Sequence, residues 1–110
     1  MSGMKQLLPL ALAALLTGPV VASPAAPEVN IKDDAYNRKT LTIVAGQTVT
    51  FVNADDDAHT VTAIDGSFDS RGLDTGDVWH HAFTKPGTYR YFCELHPFMK
   101  GAIVVKAVGS

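Results

Sequence analysis

Short segments in which apolar and polar residues alternate recur along the chain from residue 28 onward. The segments are rich in Val, Ile, Thr, Tyr and Phe and are separated by turn residues, a pattern that is typical of β-strands. No stretch has the spacing of an amphipathic helix. The pattern predicts strands at Glu28–Lys32, Thr40–Ala45, Thr48–Asn53, His59–Ile64, Val78–Phe83, Thr88–Phe92 and Ala102–Lys106. The sequence therefore predicts an all-β fold, either a sandwich or a barrel.

The start of the chain has a different pattern, in which Lys5 precedes an apolar run from Leu7 to Leu16. A positive residue before a short apolar run is typical of a secretory signal peptide, and the run is shorter than the ~20 residues of a membrane-spanning helix. The length of the run thus disfavours the alternative of an uncleaved membrane anchor. We predict a leader at residues 1–22, a flexible lead-in at 23–27 and one domain at 28–110, exported to the periplasm.

The chain that remains after the leader is small and mildly acidic. Residues 23–110 offer room for one core, which excludes a second catalytic domain. Eight Lys and Arg residues face eleven Asp and Glu residues there, a net charge near −3 with neutral histidines. A nucleic-acid-binding surface would be basic and clustered, so the charge argues against that class of partner.

The chemistry is concentrated in one run that carries Cys93, His96 and Met99 within seven residues. A single cysteine can be a free thiol, an intermolecular bridge or a metal ligand. A thiolate, an imidazole and a thioether together favour copper, with a fourth ligand from elsewhere in the chain. His59 is the best candidate for that ligand, which completes the His2Cys set with an axial Met that electron-transfer copper sites use. The alternatives are a structural role for His59 and core packing for Met99.

Other polar clusters have simpler interpretations. His80 and His81 are neighbours on one strand and point to opposite faces, so they do not form a second metal site. The run Asp55-Asp56-Asp57 lacks the alternating ligand pattern of a calcium loop. We therefore predict that it forms a solvated turn.

The ligand run resembles that of the cupredoxins, small blue-copper proteins. The resemblance extends to Val49–Asn53, Pro86–Tyr91 and Gly101–Val105 and is strongest to amicyanin-like and plastocyanin-like members. The short Cys93–Met99 loop is similar to that of amicyanin-like members, since plastocyanin-like loops are longer. It implies a two-sheet Greek-key β-sandwich of about seven or eight strands, one copper ion, and His59, Cys93, His96 and Met99 as its ligands. It also implies that His96, Pro97 and Phe98 form an exposed docking patch through which electrons pass.

Two residues depart from the pattern that this resemblance implies. Thr60 stands where relatives usually have asparagine, and its hydroxyl can partly replace the amide that ties the ligand segments together. Leu95 stands where many relatives have proline, and its backbone N–H can hydrogen-bond the Cys93 sulfur. Both positions are expected to tune the copper site.

The resemblance implies a monomeric electron carrier and not an enzyme. By analogy, its partners are redox proteins, namely a c-type cytochrome and a dehydrogenase or oxidase. A copper carrier or storage protein with the same ligands is the main alternative, and a metal-free binding module is a second. A copper enzyme would need a second copper and further ligands between domains, for which this chain has no room.

Overall fold

The computed structural model describes residues 26–109, so the predicted leader and most of the predicted lead-in lie outside the described residues. The described part contains eight strands and no helix, and so no helix there could cross a membrane. The strands are β1 (Glu28–Lys32), β2 (Ala35–Asn37), β3 (Thr40–Val44), β4 (Thr48–Asn53), β5 (Thr62–Ala63), β6 (Val78–Ala82), β7 (Gly87–Phe92) and β8 (Lys100–Lys106).

The strands form two four-stranded sheets, with the orders β2-β1-β4-β6 and β3-β8-β7-β5. Two pairs are parallel, β1 with β4 and β3 with β8, and the other neighbours are antiparallel. The predicted all-β sandwich of two sheets is confirmed, and the strand count agrees with the expectation of seven or eight.

The core lies between the sheets, because successive side chains of a strand point to opposite faces. In β1 and β4 the buried positions alternate with exposed or partly exposed ones, and in β8 the same alternation buries every second residue. The fully buried apolar residues of this core are Val29, Ile31, Val49, Phe51, Val61, Tyr91, Cys93 and Ile103. Cys93, which directly follows β7, therefore lies on the inner face, as the alternation predicts.

The hairpin between β1 and β2 was not predicted from the hydrophobic pattern. Lys32 pairs with Ala35 across a two-residue turn, and both turn residues, Asp33 and Asp34, have positive φ angles of 53° and 54°. Positive φ at both central positions matches the twist of a tight hairpin, and aspartate tolerates that conformation better than most residues. The turn places Asp34 beside the loops at one end of the sandwich.

The predicted strand at His59–Ile64 is the largest departure from expectation. Only Thr62–Ala63 is a strand, and His59 forms an isolated bridge to Leu73. The reason is topological, since this segment leaves β4 of the first sheet and enters β5 of the second. The opposite orientations predicted for His80 and His81 are confirmed, because His80 Nδ1 lies 2.9 Å from Thr50 Oγ1 whereas His81 packs among aromatic rings.

Candidate metal centre

Three predicted ligands converge at one end of the sandwich. The Cys93 Sγ atom lies 3.6 Å from His59 Nδ1 and 3.7 Å from His96 Nδ1. His59 comes from the segment after β4, Cys93 directly follows β7, and His96 lies in the loop between β7 and β8. The ligand atoms of all three lie within 4.8 Å of one another, so the fold assembles them from both sheets.

The spacing of these atoms fits a metal ion held between them. A metal ion in a trigonal arrangement would have bonds of about 2.0 Å to nitrogen and 2.3 Å to sulfur, the values for zinc with the same donors. These bonds would place the nitrogen and sulfur atoms roughly 3.7 Å apart. The observed separations of 3.6 and 3.7 Å match that distance. His59 and Cys93 have no exposed surface, and a thiolate with two imidazoles is the donor set that copper prefers.

Met99 closes the ligand loop and is 2% exposed. The Cys93 N–H donates to the Met99 carbonyl at 3.2 Å, and the Met99 N–H donates to the His96 carbonyl at 2.8 Å. These two bonds hold the three loop residues in a compact turn. An axial role for the Met99 thioether stays a prediction.

The orientation of the His59 ring is determined by a carboxylate. His59 Nε2 lies 2.8 Å from Asp55 Oδ2 and 3.6 Å from Asp34 Oδ1. Because a carboxylate accepts hydrogen bonds, the proton of the neutral ring resides on Nε2, which leaves the lone pair of Nδ1 facing Cys93. This is the tautomer that a metal ligand requires.

Asp55 corrects the prediction that residues 55–57 form a solvated turn. Asp56 and Asp57 are exposed, but Asp55 is 8% exposed and points inward. The Asp34 N–H, and next the His59 ring, hydrogen-bond its carboxylate and lower the pKa of Asp55 to about 2. An acid four residues before a candidate ligand histidine is the signal that could have identified it, since metal-bound histidines often donate to a carboxylate.

Thr60 links the two ligand segments through both its backbone and its side chain. The Thr60 N–H donates to Cys93 Sγ at 3.3 Å, and the Thr60 hydroxyl accepts from the Glu94 N–H at 2.8 Å. The hydroxyl thus makes the kind of connection expected of it. The predicted bond from the Leu95 N–H to the sulfur is not among the hydrogen bonds of the described residues, and Leu95 is 56% exposed.

A second contact supports Thr60 from the other side. The Tyr36 hydroxyl donates to the Thr60 carbonyl at 2.5 Å. Burial, and next the nearby Cys93, raise the pKa of Tyr36 well above its usual range, so the hydroxyl keeps its proton and remains a donor. The backbone that presents its N–H to the sulfur is therefore anchored in the core.

The other side of the centre reaches the surface. His96 is partly exposed, and its ring lies 6.0 Å from that of Phe98. Phe98 is 68% exposed, and Pro97 between them is also exposed. The structure thus places the three residues of the predicted docking patch together beside the centre.

Known proteins are similar to this chain, with about a third of the aligned residues identical. A family model described as a cupredoxin-like domain matches residues 6–105. Amicyanin-alpha of Methylorubrum extorquens is 33% identical over 105 residues, which cover 87% of this chain and 88% of the relative. Amicyanin of Paracoccus denitrificans is 31% identical over 103 residues, with coverages of 89% and 73%.

Solved structures of cupredoxins are similar to the fold of this chain. A purple cupredoxin from Nitrosopumilus maritimus superposes with a TM-score of 0.70 at 31% identity, covering 73% of this chain and 99% of that one. An oxidised amicyanin variant superposes with a TM-score of 0.71 at 29% identity, covering 77% and 86%. The likeness therefore spans most of the described residues.

Proposed function

The chain belongs to the cupredoxin-like family, and from that premise we propose that it is a blue-copper electron carrier. In this proposal His59, Cys93, His96 and Met99 bind one copper ion, which would supply a one-electron couple between Cu(I) and Cu(II). The observation that carries the proposal is the triangle of Cys93 Sγ and two imidazole Nδ1 atoms with edges of 3.6 and 3.7 Å from the sulfur. Structures of oxidised and reduced amicyanin variants support a role that uses both oxidation states.

Hydrogen bonds from the residues around the centre hold the ligands in place. Asp55 holds the His59 ring, the Thr60 N–H contacts the Cys93 sulfur, and backbone bonds close the loop. Electron transfer is fast when the ligands move little between oxidation states. A preorganised set of this kind therefore favours repeated one-electron exchange.

His96 and Phe98 provide the route for electrons between the centre and a partner. The buried sulfur cannot be approached from solvent, whereas the His96 ring reaches the surface beside an exposed aromatic side chain. Redox proteins form small and short-lived contacts, and a patch of His96, Pro97 and Phe98 suits such a contact. We propose that the carrier works as a monomer and has no substrate turnover of its own.

Partners and location follow by analogy and from the predicted leader. We propose that a dehydrogenase or oxidase and a c-type cytochrome exchange electrons with the protein in the periplasm. The apolar run between residues 7 and 16 supports export. A mature protein that begins at Ser23, detected by mass spectrometry after expression of the full chain, is the expected result.

Visible absorption of the copper-loaded protein tests the proposal. We expect an intense thiolate-to-copper band and a reversible one-electron wave in voltammetry. Cys93→Ser should abolish the band, and His80→Gln should leave it unchanged because His80 lies on a different strand and bonds Thr50. A protein that binds Cu(I) without colour and loses it readily to a chelator would instead be a copper carrier or storage protein.

A further inference from the structure

A cationic groove lies on the outer face of the second sheet, away from the core. Its volume is about 460 Å³, and the cations that line it are Lys39, Arg90 and Lys100. None of the described residues that line it carries a carboxylate. Within residues 26–109, none of the three cations forms an ion pair. The full chain has a net charge of −2 at neutral pH, so this face is opposite in sign to the molecule as a whole.

The floor of the groove is apolar. Ala102 pairs with Thr40 on one side and with Arg90 on the other, and its small side chain leaves space between them. Val104 continues the floor, and Ile64, which is 58% exposed, lies at its rim. Arginine beside exposed apolar surface is typical of protein interfaces, whereas a site for a small free anion needs no apolar floor.

The groove is continuous with the proposed docking patch. A second groove, of about 350 Å³, lies between β2 and the ligand loop and is lined by Phe98 and Met99. Lys39 and Lys100 line both grooves. A partner that contacts Phe98 would therefore lie within reach of the cations on the sheet face.

We infer that this face docks an acidic segment of a redox partner protein, with Lys39, Arg90 and Lys100 pairing its carboxylates while Phe98 and His96 meet its redox centre. This inference rests on the proposed function. Unpaired cations attract an oppositely charged partner over about 30 Å at an ionic strength of 0.01 M and over about 3 Å at 1 M. Charge of this kind accelerates encounter and orients the partner.

Oxidation of the Cu(I) protein by hexacyanoferrate(III), followed by stopped flow, tests the inference. One electron passes from the protein to the trianion, which becomes hexacyanoferrate(II). We expect the second-order rate constant to fall as salt is added, because the groove attracts the anion despite the negative net charge. A rate constant that rises with salt would overturn the inference.

Charge-reversal variants separate the effect of the groove cations on the rate constant from the effect of the net charge. The triple variant K39E with R90E and K100E should slow the reaction roughly tenfold or more at low ionic strength. The matched control, R71E with K85E and K106E, changes the net charge equally at positions that do not line the groove. Equal slowing of both triple variants would overturn the inference, and the absorption band of each variant reports whether its copper site is intact.

An acidic peptide distinguishes a docked protein segment from a small anion. Deca-glutamate should inhibit the oxidation of the native protein, whereas free glutamate at the same carboxylate concentration should not. Equal inhibition by both would indicate a small-anion site and overturn the inference. A protein that takes up no copper would refute the proposed function, and with it this inference.

Discussion

A single carboxylate determines which nitrogen of His59 faces the other candidate ligands. Asp55 accepts from Nε2 at 2.8 Å, so its removal frees the ring to rotate or to change tautomer. We expect Asp55→Ala to weaken copper binding about 10- to 100-fold, the usual effect of losing such a partner. Competition with a chelator of known copper affinity measures the change.

The neighbouring aspartate supplies the control for this experiment. Asp56 carries the same charge one residue later but is exposed, so Asp56→Ala should leave copper affinity nearly unchanged. Equal losses of copper affinity in the two variants would mean that Asp55 acts only through its charge. Unchanged copper affinity in both variants would mean that Asp55 does not support copper binding.

Residue type and spacing predicted the candidate ligands but not the groups around them. Cys93, His96 and Met99 stand together in the sequence, and a soft donor set within seven residues is rare enough to be noticed. Asp34 and Asp55 are far apart in the chain, and acids in turns are usually solvated. Both residues approach His59 because of a hairpin turn and a segment that runs from one sheet to the other. Neither feature can be predicted from the local sequence pattern.

The pairing of β7 with β8 at the ligand end, where Tyr91 lies opposite Gly101, depends on that glycine. A Cβ atom at Gly101 would lie 2.5 Å from the Tyr91 ring, which is fully buried and packs edge-on against Tyr36. We expect Gly101→Ala to reduce the free energy of unfolding by about 1–3 kcal/mol through overpacking. Urea unfolding of the metal-free protein measures the change without a contribution from copper.

Gly72→Ala is the matched substitution for that measurement. No atom of the described residues lies within 4 Å of a Cβ at Gly72, so the same added methyl group should have little effect on stability. Similar free energies of unfolding for both variants would show that the Tyr91 ring moves easily and does not exclude a side chain at position 101.

His81, on the inner face of β6, makes the stability of the fold depend on pH. Burial lowers the pKa of His81, whose ring stacks on Trp79 at an interplanar angle of 16°. The unfolded chain then binds this proton at higher pH than the folded one, so stability is lost as pH falls below about 6.5 towards the folded pKa. We expect His81→Gln to reduce this loss, measured as the free energy of unfolding at several pH values. His80→Gln, on the opposite face, should retain it.

Alternation predicted most strands within one or two residues because one face of each is buried. β1 and β4 have the predicted bounds, and β3, β6 and β7 differ by one residue at one end. β2 was missed because three residues are too few to show alternation, and its Asp-Asp turn is not a common hairpin signal. The extent of β5 could not be predicted, since the segment pairs with different partners on its two sides.

The candidate centre joins the two sheets of the whole molecule. His59 follows β4 of the first sheet and Cys93 follows β7 of the second, so a metal bound by both links the sheets directly. A ligand that binds only the folded state stabilises it by about 2.7 kcal/mol at a free concentration 100 times its Kd. We expect copper removal to lower the melting temperature, measured by thermal unfolding of loaded and metal-free protein. Cys93→Ser should unfold at the same temperature with and without copper.

The complete burial of Cys93 also governs how its thiol reacts when no metal is bound. An alkylating reagent such as iodoacetamide can reach the sulfur only after the turn between Cys93 and Met99 opens, because that turn and the Thr60 backbone lie against it. Alkylation should therefore be far slower in the folded protein than in urea. Its rate in the folded protein would measure how often that turn opens.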